Sequence, residues 1–244
     1  MGTNDSPLGA GGMTVLVTGA SRGIGKAIAE IFAANGHDLF ISSRNEVALY
    51  KAMEELQSKY SSISIKAKAF DLSNKELAKE LGNWCLKYAV PDILVNNAGS
   101  FEPGSVHNEP EGTLENQLAT NVQSAYHLTR TLLPGMMKRK SGHIFNMCSI
   151  ASLHAYHNGG SYSISKYALH GFSKNLREEM KPYNIKVTAI HPGAVFTDSW
   201  GDYDNSSSRI MEAGDIAKMI FACTQLSAGA CVEDIVVRPQ LGDL

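Results

Sequence analysis

Cysteine is scarce in this 244-residue chain, and charge of either sign is not in excess. The four cysteines, Cys85, Cys148, Cys223 and Cys231, have no paired spacing that reads as a zinc site or a disulfide framework. They read as buried thiols of a reducing compartment, so the expected location is cytoplasmic. No apolar run approaches the ~18–20 residues that span a bilayer, and no membrane association is expected. Twenty-two basic residues against 24 acidic ones leave a net charge of −2. That balance supplies no field for nucleic acid or an anionic surface. Internal repeats, low-complexity tracts and dividing linkers are also missing, which predicts a single domain over residues 13–244. The opening "MGTNDSPLGAGG" (Met1–Gly12) lacks the apolar stretch of a signal peptide and reads as a flexible leader or added extension.

What is present is alternation. "TVLVTG", "DLFISS", "SISIKAKAF", "DILVNN", "HIFNMCS", "IKVTAIH" and "DIVVR" read as seven strands. In the third, Ile63, Ile65, Ala67 and Ala69 alternate strictly and predict one buried face. Helical patterns lie between them, including Glu46–Lys59, a long helix over Glu111–Lys138, Ser161–Met180 and Asp215–Gln225. Gly36 is placed to end the first helix, and "SNKE" (Ser73–Glu76) reads as a capping box. The order predicts an α/β fold: a Rossmann-type, doubly wound parallel sheet of about seven strands with helices on both faces. Ligands of such sheets bind at the carboxyl ends of the strands.

Those ends carry the unusual residues. "TGASRGIGKA" (Thr18–Ala27) leaves the first strand and opens a helix. Gly19 permits the tight turn, Gly23 lets backbone N–H groups approach a phosphate, and Gly25 lets the helix pack closely. A phosphate-binding P-loop is excluded, because its first glycine would fall on Ala20 and its metal-binding hydroxyl on Ala27. Further on, "SYSISKYALHGF" contains the only tyrosine of nine with a lysine four residues later, Tyr162 and Lys166. Helical spacing puts the two side chains on one face.

The spacing T-G-x-x-x-G-x-G resembles the short-chain dehydrogenase/reductase family, and the resemblance runs from Thr14 to about Thr197. "NNAG" (Asn96–Gly99), Asp71-Leu72, Asn121, Ser149, Tyr162 with Lys166, Pro192-Gly193 and Thr197 follow in the family's order. The resemblance implies a catalytic set of Asn121, Ser149, Tyr162 and Lys166. Tyr162 would be the general acid and Ser149 would polarise a carbonyl oxygen. Asn121 would hold a water that connects Lys166 to solvent, while Lys166, a cation one turn away, would pull the tyrosine pKa down. Cofactor contacts are implied for Gly19, Ser21, Arg22, Gly23, Ile24 and Gly25 in the turn. Others are implied for Arg44, Asp71, Leu72, Asn97, Ala98, Gly99, Tyr162, Lys166, Pro192, Gly193 and Thr197. No metal is expected.

The second strand ends in Ser43-Arg44, where an NAD-binding sheet carries an acidic residue for the ribose hydroxyls. With Arg22, this predicts NADP(H). The expected activity is NADP-dependent reduction of a ketone or aldehyde to an alcohol. A dinucleotide-binding sensor without turnover is the alternative, although such a relative is expected to have lost Tyr162 or Lys166. The extended epimerase branch needs glycine where Arg22 stands. The short segment after Pro192-Gly193 and the ending "EDIVVRPQLGDL" look similar to the bacterial sepiapterin-reductase-like branch. A pteridine ketone, a 3-oxoacyl thioester and other carbonyl substrates stay open. Relatives pair through two long helices, so a homodimer or homotetramer is expected. His154 and His157 lack metal spacing and read as polar loop residues. Trp200 and Tyr203 fall in the expected substrate lid.

Overall fold

Strands β1 (Thr14–Thr18) and β2 (Asp38–Ser42) are buried along their whole length and pair side by side in a parallel sheet. Burial on both faces is why their sequences read as continuous apolar runs. The computed structural model describes residues 12–197 and 200–242. The expected leader therefore lies outside the described residues apart from Gly12. The sheet adds β3 (Ile65–Ala67), β4 (Ile93–Asn96), β5 (Gly142–Met147), β6 (Ile185–Pro192) and, after two short strands, β9 (Asp234–Val237). Its order is β3-β2-β1-β4-β5-β6-β9, every pairing parallel. β7 (Val195–Phe196) and β8 (Met211–Glu212) form a separate two-residue pair. Strand order reverses between β1 and β4, which places the ligand crevice at their carboxyl ends.

Alternate side chains of the strands feed two apolar layers. Val15, Val17, Leu39 and Ile41 pack with Ile28 and Phe32 of α1 (Gly23–Ala34) and Ile216 and Ile220 of α7 (Ala213–Thr224). On the other face Leu16, Phe40, Leu94 and Ile144 meet Leu81 of α3 (Lys75–Leu86) and Leu128 and Leu132 of α5 (Ser124–Arg139). Helix α2 (Glu46–Lys59) is capped by Asn45, whose side chain accepts from Ala48 N. Gly36 ends α1 with φ +78°, as its placement predicted.

Three local expectations are corrected. The cap of α3 is Asn74, whose Oδ1 accepts from Glu76 N and Leu77 N, while the Ser73 hydroxyl turns to Asp71. An amide one residue later simply outcompetes the serine for the same orphan N–H groups. The third strand is only three residues long, and Lys66 on its supposed exposed face is buried with its ammonium 4.4 Å from the Tyr88 ring centroid. The long central helix is interrupted: α4 (Thr113–Leu118) passes through a π-helical turn, Ala119–Gln123, before α5 begins. Such turns gather at functional sites, and this one contains Asn121.

Candidate active site

The strand ends are knotted together before any ligand is considered. Thr18 Oγ1 accepts from Asn97 N (3.0 Å) and Ala98 N (2.9 Å), pinning the exit of β4 to the end of β1. Asn97 Nδ2 donates to Thr18 O at 2.9 Å and reaches Gly19 O at 3.3 Å. Gly19 takes φ +65°, a left-handed turn that side chains resist. Above this knot lies a cleft of about 760 Å³. Gly19, Ser21, Arg22, Gly23, Ile24, Gly25, Arg44, Asp71, Leu72, Asn97, Ala98, Gly99 and Thr197 all line it. Pro192 and Gly193 do not; they close β6 beside it, with Gly193 N donating to Val237 O at 2.8 Å. The sequence reading missed Asn45, Ala48, Phe70, Ser73, Ser100 and Thr120, which line the same cleft. Most are neighbours of predicted residues, and adjacency was the signal available.

A dinucleotide fits this cleft on three observations. Helix α1 opens on it with no side-chain cap and no acidic residue in its first turn, so its N-terminal N–H groups and dipole face an anion site. An alanine Cβ at Gly25 would stand 2.2 Å from Gly19 O, so the turn's close approach requires glycine there. At the end of β2 a buried Ser43 is followed by the exposed Arg44, both on the cleft wall.

Helix α6 (Gly160–Met180) carries Tyr162 and Lys166, which do not line the cleft but adjoin it at Gly99, where an added Cβ would fall 3.6 Å from Lys166 Nζ. Glu109 ties down its start, accepting from Ser161 N at 2.8 Å and from the Ser161 hydroxyl. A carboxylate there also suits the helix dipole. One residue on, the Tyr162 phenol lies close enough to Ser149 for that side chain to pull its pKa down. Ser149 caps the 3₁₀ turn Ile150–Ser152, its Oγ accepting from Ala151 N at 3.1 Å. Lys166 is buried one turn along α6, with Nζ donating to Met147 O at 2.8 Å and lying 5.6 Å from the Tyr162 ring centroid. Asn121, also buried, accepts from Ser100 N (2.8 Å) and donates to Ser100 O (3.0 Å) and Ser165 Oγ (2.9 Å). Its side chain thus clasps the β4 exit to α6. A Cβ at Gly99 would fall 2.9 Å from Asn121 Oδ1 and 3.6 Å from Lys166 Nζ, so both groups converge on that glycine.

The electrostatics differ from expectation. Burial pushes the Tyr162 phenol above its ordinary value, against the downward pull of the nearby Ser149 side chain. Burial also draws Lys166 down to about 8. The lysine is bonded to a carbonyl rather than to the phenol, and in a site of low dielectric both groups favour their neutral forms. Tyr162 is therefore proton-loaded at neutral pH.

Around the pair, Phe101 stands edge-on to the Tyr162 ring at 4.8 Å and is half exposed, a neighbour that the sequence reading overlooked. His154 and His157 are exposed, in keeping with polar loop residues. Trp200 packs against Tyr203 at 5.2 Å and donates its indole N–H to Val195 O, fastening the segment after β7.

Fold and site together define an α/β protein with a dinucleotide-type cleft and a Ser-Tyr-Lys cluster adjoining it. Comparison with known proteins makes the assignment specific. Residues 13–207 match the short chain dehydrogenase family, and the chain belongs to it. It is 31% identical over 240 residues to a sepiapterin reductase of Chlorobaculum tepidum, covering 94% of this chain and 97% of that one. An uncharacterized oxidoreductase of Staphylococcus saprophyticus is 30% identical over 225 residues, covering 92% and 96%. Among solved structures, a closed serine dehydrogenase complexed with NADP+ superposes with TM-score 0.86 at 27% identity, covering 95% of this chain and 97% of that one. L-Sorbose reductase from Gluconobacter frateurii, complexed with NADPH and L-sorbose, superposes with TM-score 0.85 at 26% identity, with the same coverage.

Proposed function

We propose that this chain is an NADP-dependent reductase that converts a ketone or aldehyde to an alcohol. The observation that carries the reading is the placement of Tyr162 near Ser149, with Lys166 buried one turn behind it, 5.6 Å from the Tyr162 ring and beside the cleft-lining Gly99. The NADP-bound relatives support the cofactor, as does the absence of a carboxylate at Ser43-Arg44.

Bound in this cleft, NADPH would supply a hydride to the carbonyl carbon. The α1 N-terminus and the glycine turn would hold its pyrophosphate, Arg22 and Arg44 its 2′-phosphate, and Asp71 and Thr197 its two ends. Ser149 donates to the carbonyl oxygen, because its Oγ already accepts from Ala151 N and keeps its own proton to give. Tyr162 then protonates that oxygen, and its raised pKa keeps the proton in place until the oxygen becomes basic. Lys166 and the Asn121 segment resupply the proton from solvent. Phe101 and Trp200 would shape the mouth for a substrate whose identity, pteridine, acyl thioester or other carbonyl, the same site leaves open.

Free cysteines support a reducing, cytoplasmic setting. Among the described residues no helix is long and apolar enough to cross a membrane. Exposed Tyr126 on α5 and exposed Ile164 and Tyr167 on α6 support pairing of two copies through these helices as a dimer or tetramer. NADPH absorbance, followed with pterin, acyl-thioester and small-ketone substrates, tests the function. Carbonyl-dependent oxidation is expected; NADPH binding with no turnover on any of them would favour a sensor.

A further inference from the structure

Behind the catalytic serine lies a buried polar chain that the mechanism does not use. His191, in β6, is completely buried, and both its ring nitrogens are engaged. Nδ1 lies 2.8 Å from Ser152 Oγ and 3.2 Å from Ser149 O, at the turn that Ser149 caps. Nε2 lies 3.1 Å from Asp234 Oδ1, on the edge strand β9. Two groups of α6 also face that carboxylate: His170 Nε2 is 2.9 Å from Oδ1, and Lys174 bonds Oδ2. The His170 ring stands edge-on to His191 at 4.6 Å.

We infer that His191 is a positioning residue for Ser149, set in one tautomer by Asp234. The proton count carries this. An ionised Asp234 is an acceptor only, so the Nε2 facing it must carry the proton. Neutral His191 then has Nδ1 free of hydrogen, so its 3.2 Å approach to Ser149 O is a contact of two acceptors. That nitrogen must accept from the Ser152 hydroxyl. Ser152 has one proton to place, and its other acceptor is Ser149 O, on the turn's own first residue. Asp234, by fixing the imidazole, decides where that proton goes and so how the Ser149 turn is held. Burial would lift the Asp234 carboxyl, but Lys174 and the two imidazoles hold it below its usual value. Burial likewise keeps His191 below the ordinary imidazole value, against the pull of Asp234 and Ser149 O. The net directions fit an ionised Asp234 beside a neutral His191. His170, His191 and Asp234 offer ligand atoms within 4.8 Å of one another, as a divalent cation would need. Here, however, Lys174 already supplies positive charge to the carboxylate, and every ring nitrogen facing it is accounted for by a hydrogen bond.

The test has two arms. The first is imidazole ¹⁵N NMR of the intact protein at neutral pH, which needs no turnover. His191 should be the Nε2–H tautomer, and Asp234→Asn should shift it toward a mixture. An Nδ1–H tautomer in the wild type overturns the inference. The second arm rests on the reductase reading, with wild-type turnover as its control. His191→Asn, whose amide sits near the Nδ1 position, should keep most of kcat. His191→Gln and His191→Leu should lose about tenfold in kcat with NADPH Kd within about twofold of wild type. If kcat instead follows side-chain volume and Tm, so that Gln or Leu outperforms Asn, His191 only fills space. Loss of wild-type activity on chelation would show a metal and overturn the hydrogen-bonded assignment.

Discussion

Gly25→Ala adds one methyl group at the tightest point of the glycine turn. The new Cβ would stand 2.2 Å from Gly19 O and 2.5 Å from Asn97 Nδ2. A close C···O contact is ~3.3 Å, so roughly 1 Å must open. Neither neighbour yields freely: Gly19 is backbone in a left-handed turn, and Asn97 Nδ2 is bonded to Thr18 O and Gly19 O. Overpacking of this kind costs about 1–3 kcal/mol, and losing one hydrogen bond adds about 1 kcal/mol. A total of about 2–4 kcal/mol corresponds to a fall of roughly 5–15 °C in Tm for a chain of this length. Because the opening occurs where α1 faces the cleft, the Tm gain that NADPH gives the wild type should also vanish. Gly214→Ala is the control: nothing lies within 4 Å of its added Cβ, and it should be neutral or stabilising by about 0.4–1 kcal/mol. Thermal melts with and without NADPH decide the matter. Gly25→Ala melting with the wild type and still gaining Tm with NADPH would refute the close-packed turn.

The Arg22–Arg44 reading predicts NADPH over NADH by at least about tenfold in Kd, and Ser43→Asp with Arg44→Ala should reverse that order in fluorescence titrations. Equal or tighter NADH binding to the wild type would contradict it. Lys166→Met should abolish turnover yet stabilise the fold near pH 7, because the buried ammonium titrates at about 8, below its ordinary value. Between about pH 8 and 10.5 the unfolded wild type binds more protons than the folded one, so wild-type stability rises through that window. The advantage of Lys166→Met in denaturant melts should shrink there; a gap unchanged with pH would place Lys166 in a wetter site.

The sheet, its order of elements and most of the cleft were legible because each depends on a local pattern. Buried strands read as β-branched runs, and the glycine turn reads by spacing. Asn121, Ser149, Tyr162 and Lys166 are proposed as the catalytic set through family resemblance, since a lone Tyr/Lys pair proves little. What stayed hidden depends on three-dimensional surroundings. The π turn at Asn121 costs helical regularity for contacts with Ser100 and Ser165, which are remote in sequence. The buried Lys66 follows from a ring supplied by Tyr88 after α3. The pKa directions of Tyr162 and Lys166 follow from burial, which spacing does not report; the sequence predicted attraction where desolvation dominates. Phe101 and the His191–Asp234 chain were invisible for the same reason.

In the proposed reaction Tyr162 delivers the proton while the rest of the site binds the cofactor. Tyr162→Phe keeps the ring against Phe101 and removes only the phenolic hydroxyl. NADPH-dependent carbonyl reduction, measured beside NADPH Kd for both proteins, tests it directly. The variant should bind NADPH as the wild type does and lose about 10²–10⁴ in kcat. Turnover near the wild-type rate would contradict the account.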